Sequence, residues 1–590
     1  MSPLAAATGL HGLDVAVLVG YLAGVSWLGV KLAGKSDSAE RFFRGGGIPW
    51  PAVAASMIAT AVSAVTFIAV PAVAFRDGGD FTYLQLGLVA GLLSRLAVAA
   101  VLVPAYFREG VLSPYDFMAN RLGPEARWVT TLMFSLLGVL GQAARVYLTG
   151  VVLVTMCGPP LASAAAAVGV APLTLAIASV SVVAIAWTLL GGIATVIWTD
   201  AMLLAVFVLG GLVALLTVAA GVDGGLAAVV ATGLEGGKFR LFDLSLAPEF
   251  TRPYTLWAAV IAVTFGNIGS YGTDQLLAQR IFACRSPRDA QKAVLASYLA
   301  EAFAALMLLV GVALWAFYEA YPDALPAAAV ERPDAIFPAF VLAEVPIGLT
   351  GLILAGVFAA ALSSLTSILG ALAQTTTALL PEPADDASGL RRARFLVALW
   401  GVVLALAAVG AGAYVDHQEA AGNEVPLLDL ALGLANYVIG GLLAAFVLAW
   451  LPLRINARGL LFSAPLSVAC VWAARFHGER PAEICLVVGV VFLAAWTAAS
   501  ACGSARLRGP RLRRLPVAAA AAAVPLLLER FLVFGEDPSG PVSIAWPWYA
   551  PLAGLVAGVF GYGLADPRTE DPRTPERPRS ADLAGPTGPA

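Results

Sequence analysis

Apolar runs of about 20 residues recur along the whole chain, each long enough to cross a hydrocarbon core as a helix. Their approximate limits are 13–33, 48–76, 80–107, 128–158, 168–190, 193–220, 254–282, 291–320, 345–380, 392–414, 425–450, 457–475, 482–501, 515–533 and 546–565. The pattern predicts an all-α polytopic membrane protein with about fifteen spans. A transmembrane barrel would show short alternating segments instead. Most spans are plain Ala, Val and Leu. Four carry polar residues, which are costly in lipid unless they face a bundle interior or a water-filled cavity.

The first of these reads "AVAASMIATAVSAVTFIAVPAVAF" and holds Ser56, Thr60, Ser63, Thr66 and Pro71. Hydroxyls can satisfy their own helix carbonyls, but this many together with a proline predict a helix broken at mid-membrane. The span ending in "GTDQLLAQR" reads "AAVIAVTFGNIGSYGTDQLLAQRIF", with Gly266, Gly269 and Gly272 beside Asn267 and Ser270. Glycines so closely spaced make a poor continuous helix and predict unwound backbone lining a cavity. The two spans stand five apart. Paired interrupted helices at matching positions point to an inverted-repeat transporter with a midplane site. In "AAALSSLTS", Ser363, Ser364, Thr366 and Ser367 place four hydroxyls on little more than one turn. They are hard ligands of the kind a small cation takes, or else interhelical glue. Asp200, in "GGIATVIWTDAML", is an intramembrane carboxylate: a functional group by default, or a cap or salt-bridge partner.

Composition agrees with the pattern. The 590 residues are 60% hydrophobic and 12% charged, and the mean hydropathy is +0.85. A soluble chain of this size needs far more polar surface. The net charge of −3 gives no argument for a nucleic-acid partner. The five cysteines have no metal spacing, and three histidines make no cluster. No basic region precedes the first apolar run, so it reads as a span and not as a cleaved signal peptide. Lys and Arg concentrate in alternate loops, from Lys31, Lys35, Arg41 and Arg44 onward to Arg506, Arg508, Arg511, Arg513 and Arg514. By the positive-inside rule those loops are cytoplasmic, the N-terminus is outside and the C-terminus inside a cell (plasma or inner) membrane. The tail 567–590 is Pro-rich and charged and is expected to be disordered.

At these residues the chain resembles the sodium:solute symporter family, which has the LeuT-type fold. "FFRGGGIPWPAVAASMIATAVSAVTFIAVPA", "YDFMANRLG", "GGIATVIWTD", "GTDQLLAQR" followed by "SPRDAQKA", and "AAALSSLTS" occur in the family's order over roughly residues 13–450. The resemblance implies a 5+5 inverted repeat, with one helix before the ten-helix core and about four after it. The expected divisions are a first helix and cytoplasmic loop at 1–47, first repeat at 48–220, extracellular loop at 221–253, second repeat at 254–452, further helices at 453–566, and the tail. It also implies a sodium-coupled importer of a small polar organic solute, such as a sugar, sialic acid, other carboxylate or polyol. Such a transporter works in the bilayer by alternating access, as a monomer, without enzymatic chemistry.

Site residues follow from the resemblance position by position. The main sodium site maps onto the carbonyls of Ala59, Val62 and Ala360 and the hydroxyls of Ser363 and Ser364. A second sodium site or exit path, found in some members, maps onto Asp200, Ser363, Thr366 and Ser367. Substrate positions map onto Ser63, Thr66, Gln85, Asn267, Ser270 and Glu301, the last able to pair with Arg95 or Arg145. Asp274, Gln275, Gln279 and Arg280 are expected to form an inner-gate and helix-cap network. The rival readings are a proton-coupled or uncoupled carrier of the same fold, and a transporter-like sensor.

Overall fold

The computed structural model describes residues 11–33, 38–44, 47–62, 64–245, 250–326, 329, 333–420, 427–475, 536–537, 540–541 and 544–566. The expected spans 482–501 and 515–533, the tail, and Ser63 lie outside the described residues. The described part is helical, apart from a two-residue antiparallel pair of Glu536–Asp537 with Gly540–Pro541.

The helices relevant to the site are α1 (Gly12–Ala33), α2 (Ala39–Arg44), α3 (Trp50–Ala61), α4 (Ala64–Phe75), α5 (Thr82–Glu109), α6 (Pro114–Leu122), α7 (Pro124–Val168), α8 (Pro172–Ala220) and α9 (Gly225–Glu235). There follow α10 (Ala258–Gly272), α11 (Gln275–Ala283), α12 (Pro287–Ala320), α13 (Ile336–Glu344), α14 (Leu349–Thr377), α15 (Asp386–Ala420), α16 (Leu427–Trp450), α17 (Arg458–Arg475) and α18 (Tyr549–Leu564). Among the described residues seven helices are long and apolar enough to cross a membrane, or up to eight if the bent pair α3–α4 is one span.

Several starts are written in the local sequence. Ser113 and Ser286 each precede a proline at the first helical position, and their side chains accept from the backbone N–H groups of Asp116 and Asp289. Breaks have local causes too. In α8 the two halves meet at Gly192, with φ 63° and ψ −156°. A Cβ there would lie 2.2 Å from the carbonyl oxygen of Phe42, so only glycine fits. In α7 the break is at Gly158, directly before Pro159 and Pro160.

The two expected interruptions are present, but not where their prolines and glycines suggest. The first falls at Val62, which is extended (φ −75°, ψ 131°). The halves Trp50–Ala61 and Thr66–Phe75 are bent by 59°, while Pro71 sits inside α4. The second falls at Thr273 and Asp274, just beyond the glycine triplet. The triplet itself stays helical because it serves packing. A Cβ on Gly272 would reach 2.1 Å from Leu102 Cδ2 of α5, and one on Gly269 would reach 2.9 Å from Ile439 Cγ1 of α16. Glycine here allows close helix approach.

Helix α14 forms the centre, with 89% of its most apolar window buried. It packs along α8 and against α1, α7 and α15. The Asp14 carboxylate of α1 caps its N-terminus, Oδ1 accepting from Gly348 N at 2.6 Å and Gly351 N at 2.8 Å. At the other end of the bundle, the strand-like bridge Ile48–Cys284 ties the approach to α3 to the end of α11.

Candidate ion and solute site

The break at Val62 ends the α3 hydrogen-bond ladder, and helix ends leave carbonyls without intrahelical partners. Ala59 and Val62 lie in this last turn, both buried. On α14, Ala360, Ser363, Ser364, Thr366 and Ser367 are all buried. The four hydroxyls divide sharply. Thr366 Oγ1 donates to the Leu362 carbonyl at 2.9 Å, and Ser367 Oγ to the Ser363 carbonyl at 2.6 Å. The Ser364 hydroxyl, by contrast, has no hydrogen-bond partner, and the Ser363 hydroxyl faces the Asp200 carboxylate instead of its own helix. Apart from Ser363, no donor meets Asp200 Oδ1 among the described residues. Buried polar atoms are nearly always satisfied. Other isolated examples occur, at Ser181, Thr195 and Ser463; on α14 the unpartnered Ser364 hydroxyl adjoins Ser363, which faces Asp200 of α8. Hydroxyl and carboxylate oxygens are ligand types that a hard cation takes.

Asp200 Oδ2 is fully engaged. It accepts from Ser56 Oγ at 2.6 Å and from Arg280 Nη2 at 2.9 Å. Arg280 Nε donates to Ser56 Oγ at 2.7 Å, Nη1 to the Leu276 carbonyl at 2.5 Å, and Nη2 also to Ser367 Oγ. Both charged side chains have zero exposure. Gln279 Nε2 donates to the Ser367 carbonyl at 3.0 Å and Gln275 Nε2 to Gln374 Oε1 at 2.9 Å. Asp274 caps α11, accepting from Leu276 N at 2.8 Å. Arg280 is thus buried against α3, α8 and α14, and Gln275 and Gln279 both reach α14.

A second polar cluster lies between α5, α10 and α12. Both α5 and α10 contain π-helical turns, Leu86–Ala90 and Ala258–Val263, which pack on each other. Such turns recur at functional sites. Glu301 pairs with Arg95 at 3.4 Å, with 18% and 1% side-chain exposure respectively. Arg95 is saturated: Nη2 donates to Tyr271 Oη at 2.6 Å, Nε to Ser297 Oγ at 3.1 Å and Nη1 to the Gly91 carbonyl at 3.0 Å. Arg145, on α7, is half-buried within electrostatic reach of Tyr83, Tyr271 and Asp274. Among the described residues no ion pair closes on it.

The remaining substrate positions are dispersed. Gln85 is wholly buried, and its amide is spent on the segment after α9, with Nε2 donating to the Tyr254 carbonyl at 2.9 Å and Oε1 accepting from Asp243 N at 3.2 Å. Thr66, Asn267 and Ser270 are half-buried. Asp14, Ser56 and Gln374 escaped sequence reasoning as partners. Asp14 carried a local signal as an acidic residue opening an apolar helix and Ser56 as a hydroxyl inside an apolar span; Gln374 carried none.

The sequence profile of the Sodium:solute symporter family matches residues 42–466. The Sodium/sialic acid symporter SiaT of Proteus mirabilis (strain HI4320) is 26% identical over 474 residues, 79% of this chain and 90% of that one. The Sodium-coupled monocarboxylate transporter 2 of Bos taurus is 27% identical over 443 residues, 73% of this chain and 66% of that one. A solved structure described as the substrate-bound outward-open state of a Na+-coupled sialic acid symporter superposes with a TM-score of 0.67 at 26% identity, covering 79% of this chain and 92% of that one.

Proposed function

The chain belongs to the sodium:solute symporter family, and on that premise we propose that it imports a small organic anion, a carboxylate, together with sodium by alternating access. Sodium coupling, multi-pass membrane residence and the absence of enzymatic chemistry come with the family. The substrate class is the proposal, and one observation carries it. Of the two cations near the interrupted α10, Arg95 is neutralised by Glu301, whereas Arg145 closes no ion pair among the described residues. A carboxylate can take two parallel N–H bonds from a guanidinium. The named substrates of the relatives, sialic acid and monocarboxylates, are of this chemistry.

In this reading α3–α4, α5, α7 and both halves of α8 form one repeat, and α10–α11, α12, α14, α15 and α16 form its inverted counterpart. Sodium enters from outside and is held by the Ala59, Val62 and Ala360 carbonyls with the Ser363 and Ser364 hydroxyls. It joins α3 to α14 and completes the substrate site near Thr66, Asn267 and Ser270. Substrate binding then favours closure, the inner side opens, and low cytoplasmic sodium lets the ion leave. The membrane potential supplies about 2.3 kcal/mol per charge per 100 mV. The protein works as a monomer with its N-terminus outside.

The test is uptake into proteoliposomes under an inward sodium gradient, across labelled carboxylates, sialic acids, sugars and quaternary amines, with Ser364→Ala and Arg145→Ala in parallel. The expected result is sodium-driven carboxylate uptake, with apparent sodium affinity at least tenfold weaker in Ser364→Ala and carboxylate affinity lost in Arg145→Ala. Sugar uptake indifferent to Arg145 would remove the anion assignment.

A further inference from the structure

We infer that the guanidinium of Arg280 stands where a second sodium would sit at Asp200, so that this protein binds one sodium, at Ser363 and Ser364, and not two. The inference rests on the reading of α14 as the sodium helix and goes beyond it. The donors that would surround a second ion are Asp200, Ser363, Thr366 and Ser367. Arg280 reaches two of the four: Nη2 donates to Asp200 Oδ2 at 2.9 Å and to Ser367 Oγ. The third of the four, the Thr366 hydroxyl, donates to the Leu362 carbonyl and brings no charge to offset a second ion beside the guanidinium. The last of the four, the Ser363 hydroxyl, faces the Asp200 carboxylate and is the one shared with the first ion's set.

The arrangement is locked from both sides. Ser56 Oγ accepts from Arg280 Nε at 2.7 Å and donates to Asp200 Oδ2 at 2.6 Å, which closes a ring of carboxylate, hydroxyl and guanidinium. Nη1 is held by the Leu276 carbonyl at 2.5 Å. Both charged groups are fully enclosed. A sodium ion added beside Ser367 would face the guanidinium across a few ångströms in a medium that screens poorly, with one carboxylate between two cations. The carboxylate is already matched in charge and in hydrogen bonds, so the ion would have to displace a tethered competitor. Arg280 belongs to α11, the half-helix that follows the break at Thr273 and Asp274. A built-in cation on one half of an interrupted helix thus satisfies a carboxylate on α8.

The test needs no organic solute. Equilibrium binding of radioactive sodium is counted on the purified full chain in detergent. One sodium per molecule is expected in the wild type and none in Ser364→Ala. Arg280→Gln is expected to bind two, the second being lost in Arg280→Gln/Asp200→Asn. That double variant also removes the lone buried carboxylate that Arg280→Gln leaves behind. Two sodium ions in the wild type would overturn the inference and leave sodium symport standing. One sodium in a monodisperse Arg280→Gln would overturn it as well, because the guanidinium would not be what excludes the ion. No sodium in the wild type would remove the sodium assignment on α14 itself. If Arg280→Gln does not yield folded protein, the wild-type count alone decides.

Discussion

Arg95 is among the largest fully buried side chains, and its surroundings are built for it. Gly87 and Gly91 of α5 leave the space. A Cβ on Gly87 would fall 1.8 Å from Glu301 Oε2, and one on Gly91 would fall 2.7 Å from Arg95 Nη1. The Arg95 guanidinium also lies 4.2 Å from the centre of the Tyr271 ring. Removing one partner of a buried pair leaves an uncompensated charge and costs ~3 kcal/mol or more, whereas replacing both by apolar groups of similar volume is close to neutral. Glu301→Gln is therefore expected to lower the thermal unfolding midpoint in detergent by several degrees, and Arg95→Met/Glu301→Leu to recover most of that loss. A Glu301→Gln variant as stable as the wild type would show that the pair is not structural. The hydroxyl of Ser364 behaves oppositely. With no partner to lose, Ser364→Ala is expected to leave sodium-free stability unchanged or slightly raised while sodium no longer stabilises the protein.

Helix packing in this bundle depends on a few close crossings where one backbone lies on another. Gly311 of α12 is one: a Cβ there would be 2.2 Å from the Pro71 carbonyl oxygen of α4. Gly440 of α16 is another, 1.9 Å from the Ala550 carbonyl of α18 by the same construction. Backbone cannot rotate away as a side chain can, so the helices must separate, at ~1–3 kcal/mol. Gly311→Ala should then lower both the unfolding midpoint and transport, since α4 follows the ion-site break. Gly24→Ala, with nothing within 4 Å of the added methyl, is the matched control and should be neutral. Equal effects in the two would reject the close-packing account. The same physics explains the displaced break in α10. Glycine raises helix flexibility wherever it falls, but tight neighbours hold Gly269 and Gly272 helical, and the chain opens only where the Asp274 side chain can cap a new start.

At the scale of the molecule, the positive-inside rule applied to the loop charges predicts cytoplasm after α14 and the outside after α12. Ala387, in the first turn of α15 after α14, and Asp323, just after α12, are both exposed. They lie beyond opposite ends of α14 in chain order. In a background without native cysteines, Asp323→Cys should react with a membrane-impermeant maleimide added to intact cells, and Ala387→Cys only in inverted vesicles. The reverse pattern would turn the topology over.

Span length and apolar content are local quantities, so the chain alone determined a helical membrane protein; the order of its motifs carried the family resemblance, and clustered polar residues marked both interrupted helices and the hydroxyl cluster. What it could not determine was which polar groups meet. Arg280 and Asp200 are 80 positions apart, Arg280 and Ser56 224, and Arg95 and Glu301 206. Gln85 looked like a cavity residue and spends its amide on a distant loop. Four equivalent-looking hydroxyls separated into two that bond their own helix, one that faces the Asp200 carboxylate and one without a partner. A side chain's chemistry is written in its residue type. Whether a partner already uses that chemistry depends on close approach between distant segments, which only the packed bundle decides.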